Sequence, residues 1–157
     1  MKIFILSAIL FLGNSILIAQ KSEGELTWYT DIEVAKKESQ KTKKPMMLFF
    51  TGSDWCGWCV RLQKEVFFKD EFKKWANENV VLVELDFPRS KPQSDDTKRQ
   101  NQMLQKQFNV AGYPTIHFVR PEKSKEGMDL MPLGQTGYMS GGPSPWITNA
   151  SSIIQVK

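Results

Sequence analysis

The feature that most constrains the fold is an uninterrupted apolar run at residues 46–50, Met-Met-Leu-Phe-Phe, which directly follows Pro45. A strand inside a parallel sheet is buried on both faces, so its sequence is continuously apolar rather than alternating. Residues 80–85, Val-Val-Leu-Val-Glu-Leu, predict a second strand of this kind. The chain is therefore predicted to form a sheet that helices cover on both faces.

The segments on either side of the first strand predict helices. Asp31 is a suitable N-cap for a helix that ends near Lys43. A second helix is predicted over residues 56–69, because Cys59, Leu62 and Val66 repeat at three- and four-residue spacing. That spacing places these three side chains on one inward face.

Two more helices are predicted around the second strand. Asp70 is predicted to cap a short helix that ends at Trp75, and residues 97–108 predict a longer one. Its inward side chains are expected to be Met103, Leu104 and Phe108.

The remaining strands are shorter. Residues 26–29, 115–119 and 130–133 predict strands, and a final helix is predicted over 144–156. Pro132 cannot donate to a strand ladder, so the last strand is expected at an edge of the sheet. The resulting fold is a three-layer α/β/α arrangement with a mixed central sheet.

The first nineteen residues have the order of an export signal: Lys2, a largely apolar stretch, and the small residue Ala19 before a polar segment. This order predicts a signal peptide over residues 1–19 and one domain over residues 20–157, exported to a bacterial periplasm or secreted. The alternative is an uncleaved membrane anchor, because an apolar stretch of about 17 residues is at the lower limit for crossing a bilayer.

The charge of the chain does not indicate a nucleic-acid partner. The formal net charge is only +4. The lysines at 36–37 and in the segment 41–44 have no stacking aromatics or base-reading motif beside them. They are predicted to be solvated helix surface.

Cys56 and Cys59 follow the first buried strand and open the second helix. That spacing brings both sulfurs within bonding reach, but it cannot cross-link distant parts of the fold. Free N–H groups and the helix dipole at a helix N-terminus favour an anion, so the pKa of the Cys56 thiol is expected to be lowered. Cys56 is the predicted nucleophile, and Cys59 the thiol that resolves the mixed disulfide.

The alternatives are an inert cysteine pair or half of a metal site. A zinc site needs about four ligands. The sequence offers the two cysteines and a single histidine, His117, which lies in a predicted strand and is expected to be packed there or to lie at an edge. No metal and no cofactor is therefore expected.

The segment Trp55-Cys56-Gly57-Trp58-Cys59 resembles the Trp-Cys-Gly-x-Cys active site of the thioredoxin superfamily. The predicted order of elements also resembles the thioredoxin fold from about residue 26 to the C-terminus. The resemblance implies that fold and thiol–disulfide exchange with protein substrates. Tyr113-Pro114 stands before a strand, where the family carries a cis-proline. The resemblance thus implies that Pro114 is cis, faces the cysteines and helps to bind substrate; an ordinary trans proline is the alternative.

The chain also departs from the thioredoxin pattern. Phe50 stands six residues before the first cysteine, where the family carries a buried acid that moves protons to and from the second cysteine. Glu84, Asp86 or the solvent could serve instead. The inner dipeptide is Gly-Trp rather than Gly-Pro, and the polar loop from Pro88 is longer than in compact thioredoxins.

The direction of exchange is predicted from the groups near Cys56. Strong oxidants of the superfamily carry a histidine between their cysteines, whereas here the inner pair is neutral. Asp54 disfavours a thiolate at Cys56, and Arg61 partly offsets it. The balance favours a reductase over an oxidase. A reductase in an oxidising compartment needs a separate electron-donor protein.

A second class of function stays open, a binding or chaperone module in which redox activity is secondary. Trp55, Trp58 and Tyr113 would form an apolar surface around the cysteines that binds unfolded chain. The alternative is that the two tryptophans simply pack beside the helix. Membrane contact is expected only if the signal is uncleaved.

Overall fold

The computed structural model describes residues 20–23, 26–124 and 127–155. The predicted signal peptide lies outside the described residues. Within those ranges, none of the helices combines the length and the hydropathy that a membrane crossing requires.

Strands and helices alternate as predicted. The strands are β1 (Gln20–Glu23), β2 (Leu26–Tyr29), β3 (Met46–Thr51), β4 (Val81–Asp86), β5 (Thr115–Ser124) and β6 (Gly127–Thr136). The helices are α1 (Ile32–Thr42), α2 (Gly57–Leu62), α3 (Asp70–Asn79), α4 (Asp95–Gln107) and α5 (Pro143–Ile154), and a π-helical turn (Gln63–Phe67) continues α2.

The sheet is mixed, with the strand order β1-β2-β4-β3-β5-β6. β2 and β3 each pair parallel with β4, whereas β5 pairs antiparallel with β3 and with β6. β6 lies at an edge as predicted, and its Pro132 stands opposite Val119 beside an irregularity in the ladder. β1 was not predicted, because Gln-Lys-Ser-Glu has no apolar alternation.

The side chains of β3 divide the core between the two faces of the sheet. Met47 and Phe49 join the cluster that contains both cysteines, whereas Leu48 and Phe50 join the cluster on the other face. Every β3 residue is buried. This confirms the prediction of a strand covered on both sides, and it places β3 directly before the cysteines.

The predicted helix over 56–69 is not regular throughout. Its last turn is π-helical, and the N–H of Phe68 donates to the carbonyl oxygen of Gln63 at 2.9 Å. Leu62 and Val66 are buried as predicted. The wider turn also buries Phe67, which directly follows Val66. A regular α-helix buries side chains three or four residues apart, so it does not predict two consecutive buried residues.

The helix predicted from Asp70 to Trp75 extends further at its C-terminal end, and its N-cap is not the predicted residue. Lys69 occupies the N-cap position, and Asp70 is the first helical residue. The helix continues to Asn79, because Ala76 extends the buried face that Trp75 begins. Asp70 still favours the helix start, since its charge complements the helix dipole.

The prediction that Met103 points inward is wrong: its side chain is 67% exposed. α4 buries Leu104 and, just past its end, Phe108, as predicted. The remaining inward position belongs to Asn101, which is buried and donates to the carbonyl oxygen of Asp86 at 2.9 Å. A pattern of apolar residues alone could not identify this polar core position. α4 also begins earlier than predicted, after an N-cap at Ser94.

Candidate active site

The two cysteines lie where β3 ends and α2 begins. Cys56 is the N-cap of α2 and has an extended backbone, and its N–H donates to the carbonyl oxygen of Gly52 at 2.8 Å. A disulfide of 2.08 Å joins Cys56 to Cys59. Cys56 is 5% exposed, and Cys59 is fully buried. The structure therefore brings the predicted pair together, with Cys56 nearer the surface.

The helix start provides a hydrogen-bond donor for the sulfur of Cys56. The backbone N–H of Cys59 lies 3.1 Å from the Cys56 Sγ. A donor in this position stabilises a thiolate more than a neutral thiol. After reduction of the disulfide, Cys56 is thus the sulfur that α2 is arranged to hold as an anion.

The loop between β3 and α2, residues 52–55, is bound to the end of β4. Ser53 donates through its backbone N–H and its hydroxyl to the two carboxylate oxygens of Asp86, at 2.8 and 2.6 Å. Asp86 therefore holds this active-site loop.

Glu84, the other predicted candidate for the base that assists Cys59, stands opposite Phe49 in the ladder and is half-buried. Phe50 lies in the cluster on the other face of the sheet from the cysteines.

Asp54 binds the β4–α4 loop, residues 87–94. Its carboxylate accepts the backbone N–H groups of Arg89, Ser90 and Lys91, with a shortest distance of 2.7 Å to Ser90. These bonds, that of Arg89 first, lower the pKa of the Asp54 carboxyl from its ordinary value. From the sequence, the Asp54 charge was expected to disfavour a thiolate at Cys56. The structure instead directs this carboxylate to three N–H groups.

We expect Asp54→Asn to lower the free energy of unfolding at pH 7 by loosening the β4–α4 loop. The pKa of Asp54 is lower in the folded protein, so its charge stabilises the fold above the unfolded-state value of about 3.9. That stabilisation is lost as the pH falls through the lower folded-state pKa. Urea unfolding between pH 7 and 2 should show the two proteins converging at acid pH. A difference independent of pH would mean that the charge does not hold the loop.

Trp55 forms one wall of the site together with Tyr113 and Phe87. The Trp55 indole N–H donates to the carbonyl oxygen of Phe87 at 2.8 Å. The Tyr113 ring lies edge-on to Trp55 with centroids 5.6 Å apart, and it packs on Phe87 at 5.3 Å. Trp55 and Tyr113 thus contact each other, and Trp55 also packs tightly over Gly52.

The Tyr113–Pro114 peptide bond is cis, in agreement with the resemblance to thioredoxins. Pro114 is half-buried. Because Tyr113 contacts Trp55, this proline loop lies beside the active-site loop. A groove of about 400 Å³ is lined by Pro114, Thr115 and residues 109–112 and 135–137.

Trp58 forms the opposite wall with Tyr138, a residue for which the sequence predicted no role in the site. Trp58 is 55% exposed, and its ring centroid lies 5.2 Å from that of Tyr138. The Arg61 guanidinium lies over both rings, at 5.4 and 5.3 Å. Glu65 accepts from the Nε of Arg61 at 2.8 Å and from the hydroxyl of Tyr138 at 2.6 Å. The hydrogen bond to Tyr138 is the main cause of a lowered pKa at Glu65.

His117 is a packed core residue, as predicted. Its ring lies between those of Phe50 and Phe108, and burial lowers its pKa. In the ranges that the structure describes, no three His, Cys, Asp or Glu side chains cluster in a way that could hold a metal ion.

Comparison with known proteins adds independent information on this site. Residues 27–121 match the family model described as Thioredoxin-like. The chain is 33% identical over 132 residues to the disulfide bond reductase DsbH of Chlamydia pneumoniae. The matched region covers 84% of this chain and 75% of DsbH. It is 28% identical over 121 residues to the thioredoxin-related protein DsbJ of the same organism, covering 77% of this chain and 34% of DsbJ. A solved structure of DsbH oxidoreductase has a TM-score of 0.73 and 30% identity, with 96% of both chains covered.

Proposed function

Because the chain belongs to the thioredoxin-like family, we propose that this thiol–disulfide oxidoreductase works as a reductase of protein disulfides outside the cytoplasm. The observation that carries the proposal is the cysteine pair at the start of α2, with the N–H of Cys59 directed at the sulfur of Cys56. The similarity to a named disulfide bond reductase favours the reducing direction. The order of residues 1–19 supports export.

In the first step, the Cys56 thiolate of the reduced protein attacks one sulfur of a substrate disulfide. A bond forms between this sulfur and the Cys56 Sγ, and the substrate S–S bond breaks. The electron pair of the broken bond leaves on the second substrate sulfur, which takes a proton from solvent. Cys56 suits this step because it is the more accessible cysteine of the pair.

In the second step, Cys59 loses its proton and attacks the Cys56 Sγ. The mixed disulfide breaks, and the Cys56–Cys59 disulfide forms. The first substrate sulfur leaves as a thiolate and takes a proton from solvent, which receives the proton that Cys59 lost. The substrate has then gained two electrons and two protons. Full burial of Cys59 supports this order, because its sulfur is shielded from attack by other disulfides.

Trp55, Trp58, Tyr113 and Pro114 are the residues that we assign to substrate binding. The two tryptophans are partly exposed, and each directly precedes one of the cysteines. The groove beside Pro114 provides space for an extended segment of the substrate chain.

A return to the dithiol state requires two electrons from outside the chain. We assign their delivery to a separate protein with a dithiol, which reduces the Cys56–Cys59 bond by the same two exchange steps in reverse. In an oxidising compartment the reduced glutathione pool of the cytosol is not available for this purpose.

The proposal is tested by the dithiothreitol-driven reduction of insulin, followed as turbidity from the separated chains. The mature protein should shorten the lag before turbidity appears, and Cys56→Ser should behave as the buffer does. If wild type and Cys56→Ser were equally inactive, while both suppressed aggregation of an unfolded protein, the chain would be a chaperone module instead.

A further inference from the structure

We propose that Arg89 makes this protein selective for disulfides with an acidic residue beside the substrate cysteine. The inference rests on the proposed function and goes beyond it by naming a class of substrate. Arg89 is exposed on the β4–α4 loop, and its guanidinium carbon lies 4.0 Å from the centroid of the Trp55 ring. Trp55 directly precedes Cys56. The positive charge therefore stands beside the wall of the site that leads to the nucleophile.

The position of Arg89 is fixed by the active-site loop. Asp54 accepts the backbone N–H of Arg89 at 3.0 Å, and the indole of Trp55 holds the carbonyl of Phe87 two residues earlier. The ring of Trp55 supports one face of the guanidinium, and stacking leaves the in-plane N–H donors available to a ligand. An arginine held in this way loses less side-chain entropy on binding than a free one.

The Arg89 guanidinium is available to a ligand, because no side chain in the described part of the protein holds it in an ion pair. Among residues 20–23, 26–124 and 127–155, no carboxylate forms an ion pair with it, and the Asp54 carboxylate is directed to backbone N–H groups. Lys91 on the same loop is directed elsewhere, since its Nζ donates to the Ser53 hydroxyl at 3.2 Å. Arg61 on the opposite wall differs, because Glu65 binds it at 2.8 Å.

The two walls of the site therefore differ in charge, although each has an arginine over a tryptophan. A substrate chain that crosses the site meets a compensated arginine beside Trp58 and an uncompensated one beside Trp55. A planar guanidinium pairs with a carboxylate through two parallel hydrogen bonds. Aspartate or glutamate next to the substrate cysteine is the partner that this wall fits.

The size of the effect is limited by exposure. Exposed ion pairs contribute up to about 1 kcal/mol, which corresponds to a preference of about fivefold. Salt screens such a pair, so the preference should shrink between about 0.02 and 0.5 M ionic strength. If Arg89 only supported the Trp55 ring, kcat/KM would depend neither on the charge of the substrate nor on the salt concentration.

The test measures kcat/KM for three homodimeric peptide disulfides that have Asp, Asn or Lys directly before the cysteine. Each rate is divided by the uncatalysed rate with dithiothreitol, which removes the intrinsic reactivity of each peptide. Wild type should prefer the Asp peptide over the Lys peptide by about fivefold at low salt. Arg89→Gln should abolish this preference. Arg89→Lys should retain only part of it, because an ammonium keeps the charge but neither stacks on Trp55 in the same way nor offers two parallel donors. Arg89→Glu should reverse it.

Lys41→Gln is the matched control, because it removes the same charge from the end of α1. Lys41 lies before the start of β3, whereas the cysteines lie after its end. The six residues of this strand span about 20 Å, so Lys41 is far from the cysteines. This variant should keep the wild-type preference. Equal rates for the Asp and Lys peptides with wild type, or a preference that survives in Arg89→Gln, would overturn the inference. Failure of wild type to reduce even the Asn peptide would overturn the proposed function, and the inference with it.

Discussion

Cys59→Ser is expected to accumulate a covalent complex with protein substrates, whereas Cys56→Ser should form none. Serine at 59 cannot attack the mixed disulfide, so the first step proceeds and the second stops. The catalytic rate of either variant should fall by more than about a thousandfold, because both remove a group that forms a bond during turnover. Non-reducing gel electrophoresis, followed by mass spectrometry of the trapped species, provides the measurement.

The double variant Cys56→Ser/Cys59→Ser is the control for this experiment. It should bind no substrate covalently, and its fold should match that of the Cys59→Ser protein. Both cysteines are buried and neither cross-links distant parts of the chain, so loss of the pair should leave the sheet intact. A complex trapped through Cys59 in the Cys56→Ser protein would reverse the two roles assigned here.

Phe67→Ala is expected to reduce the free energy of unfolding by about 3–5 kcal/mol, the range for phenylalanine removed from a core. Phe67 is 2% exposed, at the centre of the core face that carries the cysteines. The centroid of its ring lies within 6 Å of the ring centroids of four aromatic residues: Trp28, Phe49, Phe72 and Trp146. Alanine would lose these contacts and leave a cavity beneath the π-helical turn. Urea unfolding of the oxidised proteins gives the difference.

Phe68→Ala is a control matched in chemistry and in sequence position. Phe68 is 46% exposed, although it is the next residue along the chain. Its removal should change the unfolding free energy by less than about 0.5 kcal/mol, as is usual for surface sites. Similar losses for the two variants would contradict the π-helical turn, which sets the direction of both side chains.

The fold was predictable where an element has a clear apolar pattern, continuous in a buried strand or periodic in a helix. The run at 46–50 predicted a strand buried on both sides, and the repeat of Cys59, Leu62 and Val66 predicted the buried face of α2. Prediction was wrong where a polar side chain fills a core position: Asn101 is buried, whereas Met103, which was expected there, is exposed. The π-helical turn and the polar strand β1 have no periodic apolar signal, so their sequences could not reveal them.

The active site was predictable where the chemistry is local in sequence. Cys56 and Cys59 belong to one motif, and their arrangement follows from helix geometry. Contacts between distant segments were not predictable. Asp54 meets the N–H groups of a loop 35 residues further along the chain, and Tyr138 reaches Glu65 across 73 residues. Because Asp54 is directed to that loop, the similarity to DsbH and the neutral Gly-Trp pair now support the reducing direction better than the charge of Asp54 does.

The reduction potential of the Cys56–Cys59 pair tests the proposed direction most directly. It can be measured by equilibrating the protein with glutathione buffers and quantifying the oxidised and reduced forms by mass spectrometry after alkylation. A reductase requires a disulfide form that is a weak oxidant, so the potential should lie near the value of about −270 mV that thioredoxin has. A potential near about −120 mV, the value of a strong protein oxidant, would contradict the proposed direction and make this protein an oxidase.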